Sequence, residues 1–379
     1  MAKNKPKHRP AAPRTASLKQ HHPPPGTMPG TLLAIPDARG SRFSILQYSE
    51  KACAENREAS LDEVISCLGA YPITWINVEG LGNLAAIQQI GKAFHLHPLA
   101  LEDVVSQHQR PKLEAYQELL FIVARMPHPQ ALSATEQVSF FLGPNFLITF
   151  QEGLPGDCFE TVRQRIRQDG GPIRQGSAAF LLYQLLDTIV DQFFPQLEFH
   201  ADLIQMIEDR IISERGASAN SELYAIRRQL LLMHGTLRPL RDVVSGLMRG
   251  PQSLFDENTR WYLRDVYDHT SQLIDLLETY KDLCTQLMEM AAAAANARMN
   301  ETMRFLTVMS AIFIPLTFVV GIYGMNFKTD VSVLNMPELG WAYGYPFSLL
   351  LMAAIASGQL LFFRHKGWLG MPSAEKRKR

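Results

Sequence analysis

Eight residues between Asn300 and Gly324 recur in two phases of a seven-residue period. Asn300, Thr307, Ile314 and Gly321 share one phase; Met303, Ser310, Thr317 and Gly324 share the other. On a helix they form a single stripe of mostly small or polar side chains. The other faces carry Phe305, Phe313, Val319 and Val320. Neutral amides and hydroxyls can order water or a hydrated ion without gripping it, which is the chemistry of a conducting wall. Small residues on a membrane helix equally permit close helix packing, so periodicity alone leaves both readings open. Asn300 and Asn326 bracket the stripe. Two amides in apolar surroundings need partners, and this favours a water-filled pore. One helix cannot enclose a pore, so that reading requires a symmetric ring of subunits.

Other candidate groups are weaker taken singly. Asp103, Asp265 and Glu338 are, by spacing, surface acids of helices or a loop. His95 and His97 make a His-x-His pair, but Pro98 starts a helix at once and speaks against ligation. Cys53, Cys67, Cys158 and Cys284 have no metal-type spacing and read as reduced, buried thiols. No P-loop or catalytic triad pattern is present, so no enzymatic activity is expected.

The elements that must position the stripe emerge from the placement of charge. The chain has 379 residues, 37 basic and 37 acidic, and a mean hydropathy of −0.06. As an average this describes an ordinary soluble protein with no bias toward nucleic acid. The average conceals three asymmetries. Residues 1–31 carry Lys3, Lys5, Lys7, Arg9, Arg14 and Lys19, no acid and seven prolines, giving an arm of +6. That arm is expected to be disordered. It lacks the apolar region of a secretory signal, and reads as a solvated leader before a contact for anionic lipid or nucleic acid. Residues 364–379 carry +5, which leaves −11 for residues 32–363. Finally, from Phe305 to Phe363 only Lys328, Asp330 and Glu338 are charged.

The charge gap holds two uncharged runs, Phe305–Phe327 of 23 residues and Leu339–Phe363 of 25. A membrane-spanning helix needs about 20 predominantly apolar residues, so both runs read as transmembrane helices. Arg298 and Arg304 precede the first and the basic cluster follows the second. The positive-inside rule then places both termini in the cytoplasm and residues 328–338 outside.

Before the spans, residues 32–152 mix strand and helix signals. Ser44–Tyr48, Ile73–Val78, Leu119–Arg125, Gln137–Leu142 and Phe146–Phe150 read as strands, with Gly143-Pro144-Asn145 turning between the last two. Ser60 with Glu63 reads as a capping box for a helix to Leu68; Asn83–Phe94 and Pro98–Val105 are further helices. Residues 153–251 are expected to be helical over Phe159–Gln168, Ser177–Ser213 and Glu222–Met248. Gln252–Ile314 contains neither Gly nor Pro over 63 residues, and predicts a stalk helix (252–304) continuous with the first span (305–327). The second span is 339–363 and the basic tail 364–379.

With these elements in place, Phe313–Asn326 reads FIPLTFVVGIYGMN, and Met336-Pro337-Glu338-Leu339 stands in the loop before the second span. The chain resembles the CorA family of two-transmembrane divalent-cation channels named for their Gly-Met-Asn motif. The resemblance extends through Arg264–Thr270 (RDVYDHT) and His97–Tyr116, and covers nearly everything except residues 1–30. It implies an α+β cytoplasmic domain, a long stalk helix and two C-terminal transmembrane helices, assembled as a funnel-shaped homopentamer in a prokaryotic inner membrane. It implies Mg²⁺ as the transported and regulatory ion, with Co²⁺ and Ni²⁺ as further substrates, membrane lipid as surroundings and no nucleic-acid partner. A zinc transporter on the same fold, proton-coupled, is the alternative; a non-conducting cation sensor is an alternative of another class.

By the same resemblance, Tyr323, Gly324, Met325 and Asn326 form the selectivity motif. Asn300, Met303, Leu306, Ile314, Thr317 and Gly321 line the pore, with Thr307 and Ser310 on the same stripe. Met303 and Leu306 form the hydrophobic constriction, Glu338 concentrates cations at the mouth, and Asp103 and Asp265 hold regulatory Mg²⁺ between neighbouring subunits. Two departures stand out. Residues 328–335 lengthen the outer loop relative to the family, and the Leu197–Arg215 helix is less acidic than in some relatives.

Overall fold

The computed structural model describes residues 26–33, 38–107, 109–128, 135–168, 171–213, 219–327, 332 and 334–368. Most of the basic arm, Lys328 and Asp330 of the lengthened loop, and the tail beyond Trp368 lie outside the described residues. The chain divides into two units: Met1–Ile207 with Ser221–Thr285, and Glu208–Asn220 with Gln286–Arg379.

In the first unit, seven described strands form one mixed sheet. They are β1 (Arg42–Tyr48), β2 (Cys53–Ala59), β3 (Ile73–Glu79), β4 (Lys112–Tyr116), β5 (Leu119–Pro127), β6 (Thr135–Leu142) and β7 (Phe146–Gln151). Their order is β2-β1-β3-β7-β6-β5-β4, antiparallel throughout except for the central β3–β7 pair. The central strands are buried on both faces. This is why they read as near-continuous apolar runs rather than alternating ones. The two strands that sequence patterning does not find, β2 (CAENREA) and β4 (KLEAY), are the two edges. Each is only partly buried and mixes charged residues with its apolar ones, so it carries little hydrophobic signal.

One sheet face packs on α1 (Leu61–Ser66), α2 (Leu84–Ala93) and α3 (Pro98–Val105). Val64, Ile87, Ile90, Ala100 and Val104 join Ile76, Phe121, Phe141, Ile148 and Phe150 in one core. The expected caps are present. Ser60 and Glu63 make the reciprocal box, Asn83 accepts from Ala86, and Pro98 begins α3. Gly91 lies against Leu101, so a side chain there would collide with α3. The opposite face carries Trp75, whose indole donates to Thr149 Oγ1 at 3.0 Å; Thr149 donates to Asn77 Oδ1 at 2.6 Å and Gln151 to the same oxygen at 2.9 Å. Trp75 and Phe140 meet Phe159, next to α4 (Glu160–Arg167).

The expected helix over 177–213 is two helices, α6 (Ala178–Asp191) and α7 (Phe193–Ile212), after the short α5 (Pro172–Gln175). Pro195 explains the break. It has no N–H for the carbonyl of Asp191, and its ring crowds that carbonyl. Helix α8 (Ala219–Met248) follows, then α9 (Glu257–Tyr323), which belongs to the first unit as far as Thr285 and to the second from Gln286. Its 67 residues rise about 100 Å. The alanine run at 291–295 passes without interruption, as helix propensity predicts. Helix α10 (Gly344–His365) completes the second unit.

Glu136 is a buried acid at the start of β6, with 1% of its surface exposed. Its Oε1 accepts the Gly153 and Leu154 N–H groups at 2.8 and 3.3 Å, while Oε2 has no partner among the described residues. Burial, against the pull of those two bonds and aided by Glu152 and Asp157, pushes its pKa up to about 7. Between the ordinary carboxylate range and pH 7 the native state keeps a proton that the unfolded chain has lost, so stability falls as pH rises through this window and then levels off. Glu136→Gln is expected to remove that fall and to stabilise the chain by on the order of 3 kcal/mol above pH 7, with little effect at pH 4.5. Denaturation of the detergent-solubilised protein at both pH values checks this; an equal effect at both would refute it.

Candidate functional site

The second unit carries the stripe. The apolar segment of α9 and the whole of α10 are each long and apolar enough to cross a membrane. Around this part of α9 the less accessible side chains are Arg304, Val308, Ala311, Ile312, Pro315, Leu316, Val319 and Tyr323. Their spacing of three and four residues marks one helix face. Asn300, Met303, Leu306, Thr307, Ser310, Ile314, Thr317, Gly321 and Gly324 are all exposed in the single chain. Met303 and Ile314 of the stripe expose 59 and 66% of their surface and Leu306 beside it 57%, so these apolar side chains are largely uncovered in the single chain.

Thr307 and Thr317 turn their hydroxyls back onto the helix, donating to the carbonyls of Met303 and Phe313 at 2.8 Å each. Each hydroxyl keeps acceptor capacity for water while its proton is satisfied. Helix α9 ends at Tyr323. Gly324 N–H still reaches Val320 O at 2.9 Å and Met325 N–H reaches Ile322 O at 3.1 Å, after which Asn326 leaves the helix exposed. The last carbonyls of α9 stand beside the motif, and a helix C-terminus carries partial negative charge.

The Met-Pro-Glu-Leu turn is tightly made. Met336 holds a left-handed φ of 45°, and Pro337–Gly340 form a single 3₁₀ turn. Gly344, the first residue of α10, lies directly against the Glu338 backbone carbonyl, where any Cβ would clash. Trp341 packs on Tyr343 and Phe347 with ring centroids 6.1 and 5.9 Å apart. Sequence reasoning misses Gly344 and Trp341 as supports of Glu338, because their role depends on the turn bringing Glu338 back onto the helix start.

In the first unit, Asp103 on α3 and Asp265 on α9 have different partners. Asp103 Oδ2 lies 2.6 Å from Lys112 Nζ. Burial raises the Asp103 pKa and outweighs the opposing pull of Lys112. Burial also works against the Lys112 charge, but its bonds to Asp103 and Glu114 hold its pKa above the ordinary value. Asp265 is exposed, with His269 Nε2 at 3.9 Å one turn on. No hydrogen bond or ion pair among the described residues joins the two acids within one chain. His97 accepts from Leu99 N–H at 3.3 Å as the cap of α3 and stacks on Tyr116, which leaves the His-x-His pair a structural explanation.

One group with metal-binding chemistry is visible to spacing only in part. Asp187 and Asp191 of α6 and His269 of α9 present ligand atoms all within 4.8 Å of one another. Burial, followed by the Asp191 charge, pushes Asp187 up to about 6; Asp265 adds to that field. Two carboxylates and an imidazole can hold a divalent cation. The i,i+4 acids of α6 are the sequence signal, but His269 lies some 80 residues away and only the packing of the helices joins them.

Residues 72–365 match the family described as CorA-like Mg²⁺ transporter protein. The chain is 37% identical to the cobalt/magnesium transport protein CorA of Thermotoga maritima over 348 residues, 91% of this chain and 97% of that one. It is 35% identical to the putative metal ion transporter YfjQ of Bacillus subtilis over 73% of this chain and 84% of the relative. The complete structure of the CorA magnesium transporter of Methanocaldococcus jannaschii superimposes with a TM-score of 0.73 at 22% identity, covering 86% of this chain and 99% of that one. The sheet domain, the long helix, the two apolar helices and the Tyr-Gly-Met-Asn end of the first of them thus belong together: the chain is a member of the CorA-like Mg²⁺ transporter family of membrane divalent-cation transporters.

Proposed function

We propose that the chain assembles as a homopentamer in the prokaryotic inner membrane, with both termini cytoplasmic, and conducts Mg²⁺ inward, with Co²⁺ and Ni²⁺ as further substrates. The observation that carries this reading is the exposed stripe. Along one line of an otherwise apolar helix the exposed side chains are amides, hydroxyls and small residues, and lipid cannot satisfy the amides. Five copies of α9 turned inward would give those groups water and one another. The pairing of cobalt and magnesium in the name of the Thermotoga relative supports the ion class.

The roles follow from ion chemistry. Mg²⁺ is small and sheds its waters reluctantly. A ring of carboxylates would hold it too long for conduction, whereas a ring of Asn326 amides can hydrogen-bond its first-shell waters and select on the size of the hydrated ion. Glu338 and the C-terminal ends of the α9 helices draw cations to the mouth. Asn300 offers a second hydrated-ion site at the inner end. Between them, Met303 and Leu306 narrow the path and close it by excluding water. On the cytoplasmic side, residues 32–304, Asp103 and Asp265 of adjacent subunits share Mg²⁺ when it is abundant and hold the stalks together. When Mg²⁺ is scarce, like charges face one another and the stalks separate. The alanine-rich stalk within α9 carries that movement to Leu306 without a break.

Three outcomes are expected in proteoliposomes that report Mg²⁺ entry with an internal dye. Asn326→Ala abolishes uptake, and parental flux would remove Asn326 from the conduction path. Asp103→Lys combined with Asp265→Lys weakens closure by internal Mg²⁺ at least fivefold in midpoint, on the usual scale of allosteric coupling; an unchanged closure curve rejects the pair. Leu306→Gly leaks at saturating internal Mg²⁺, and a tight variant would move the constriction elsewhere.

A further inference from the structure

Asp103 already holds a cation. Lys112 Nζ lies 2.6 Å from Asp103 Oδ2 and 2.8 Å from Glu114 Oε1. Glu114 is steadied by Tyr116, whose hydroxyl donates to Oε2 at 2.7 Å, and Tyr116 is stacked against His97. The ammonium also sits 5.5 Å from the centroid of Phe121. Glu102, beside Asp103, is committed elsewhere, because its Oε2 accepts the Gly30 N–H at 2.6 Å. The side chains of Lys112 and Asp103 keep 22 and 20% of their exposure, so the pair is shielded from bulk water and yet open to an ion.

An ammonium and a magnesium ion compete for that carboxylate. Mg²⁺ takes an oxygen at about 2.0–2.1 Å and keeps an octahedral set of waters, and two cations that close repel strongly at any protein dielectric. The ammonium has somewhere to go. Glu114 stands two residues along β4 and is already bonded to it. Lys112 also lines a cleft of about 540 Å³ with Arg110, Leu113, Arg238 and Asp242. β4 is the edge strand of the sheet, so no further strand confines the four-carbon stem.

We propose that Lys112 is a tethered competitor for Mg²⁺ at Asp103: it occupies the carboxylate when Mg²⁺ is scarce, moves to Glu114 when the ion binds, and so sets the Mg²⁺ concentration at which the regulatory site fills. This rests on the reading that Asp103 receives regulatory Mg²⁺. Two consequences follow. The threshold is higher than a bare carboxylate would give, and a monovalent ion, which gains no more from the carboxylate than the ammonium does, fails to fill the site.

The test is Mg²⁺-dependent protection of the full-length, detergent-solubilised chain against limited proteolysis, titrated with MgCl₂. Lys112→Gln is expected to shift the midpoint about tenfold lower. Lys112→Arg, which keeps a cation on Asp103, is expected to titrate at the parental midpoint or above it. Asp103→Asn separates this proposal from the reading beneath it. If Asp103→Asn titrates like the parent, Asp103 is not the Mg²⁺ site. If Asp103→Asn blunts the response while Lys112→Gln leaves the midpoint in place or raises it, the competitor role is overturned. A midpoint lowered by Lys112→Arg overturns it as well, and does so even if the glutamine variant fails to fold.

Discussion

The constraint on which the rest of this structure depends is that polar groups cannot face hydrocarbon unsatisfied. Helix α9 satisfies its backbone internally, as any spanning segment must, and Thr307 and Thr317 dispose of their hydroxyl protons on their own helix. The amides of Asn300 and Asn326 stand exposed in the single chain. The exposed line of small and polar residues therefore defines the face that must meet water or other copies. The remaining features of the second unit fit around that line: an apolar second helix, and a turn that lays Glu338 against the first residue of α10.

A related economy of charge runs through the first unit. The sheet interior tolerates polar groups where they are bonded in series, as in the Trp75, Thr149, Asn77 and Gln151 chain. Glu136 departs from this with one unpartnered oxygen, and its pKa rises accordingly. At the sheet edge the balance differs. Asp103, Glu114 and Lys112 are half-shielded, so their attraction exceeds that of a surface pair without the full desolvation cost of a buried one. An intermediate environment of this kind suits a contact that must be exchangeable for a divalent ion. The Asp187, Asp191 and His269 group has similar character, with Asp265 contributing to its field.

Much of the fold was legible because its signals are local. The capping box at Ser60, the Asn83 cap and Pro98 at the start of α3 are each decided within four residues. The course of α9 as far as Ile314 follows from composition, since Gln252–Ile314 has neither Gly nor Pro; beyond it the helix runs on through Pro315, which composition does not predict. The edge strands β2 and β4 were not legible, because their pairing rests on backbone bonds to neighbours and not on an apolar face. The break at Gln192 was within reach of the sequence through Pro195, two residues into the next helix, but the surrounding apolar run concealed it.

By itself the sequence determined what short-range chemistry and periodicity can encode: two charge-free spans, a small and polar stripe on the first of them, and a terminal Tyr-Gly-Met-Asn motif recognisable as a family signature. Tertiary structure alone decided which charges meet. Lys112 reaches Asp103 because β4 folds back beside α3, and His269 reaches Asp187 because α9 packs near α6. Electrostatic attraction acts through space over a few ångströms, and sequence separation says nothing about that distance until the chain has folded. The membrane elements could be read from composition because their solvent is uniform, whereas the ionic contacts of the sheet domain depend on neighbours that only the fold supplies.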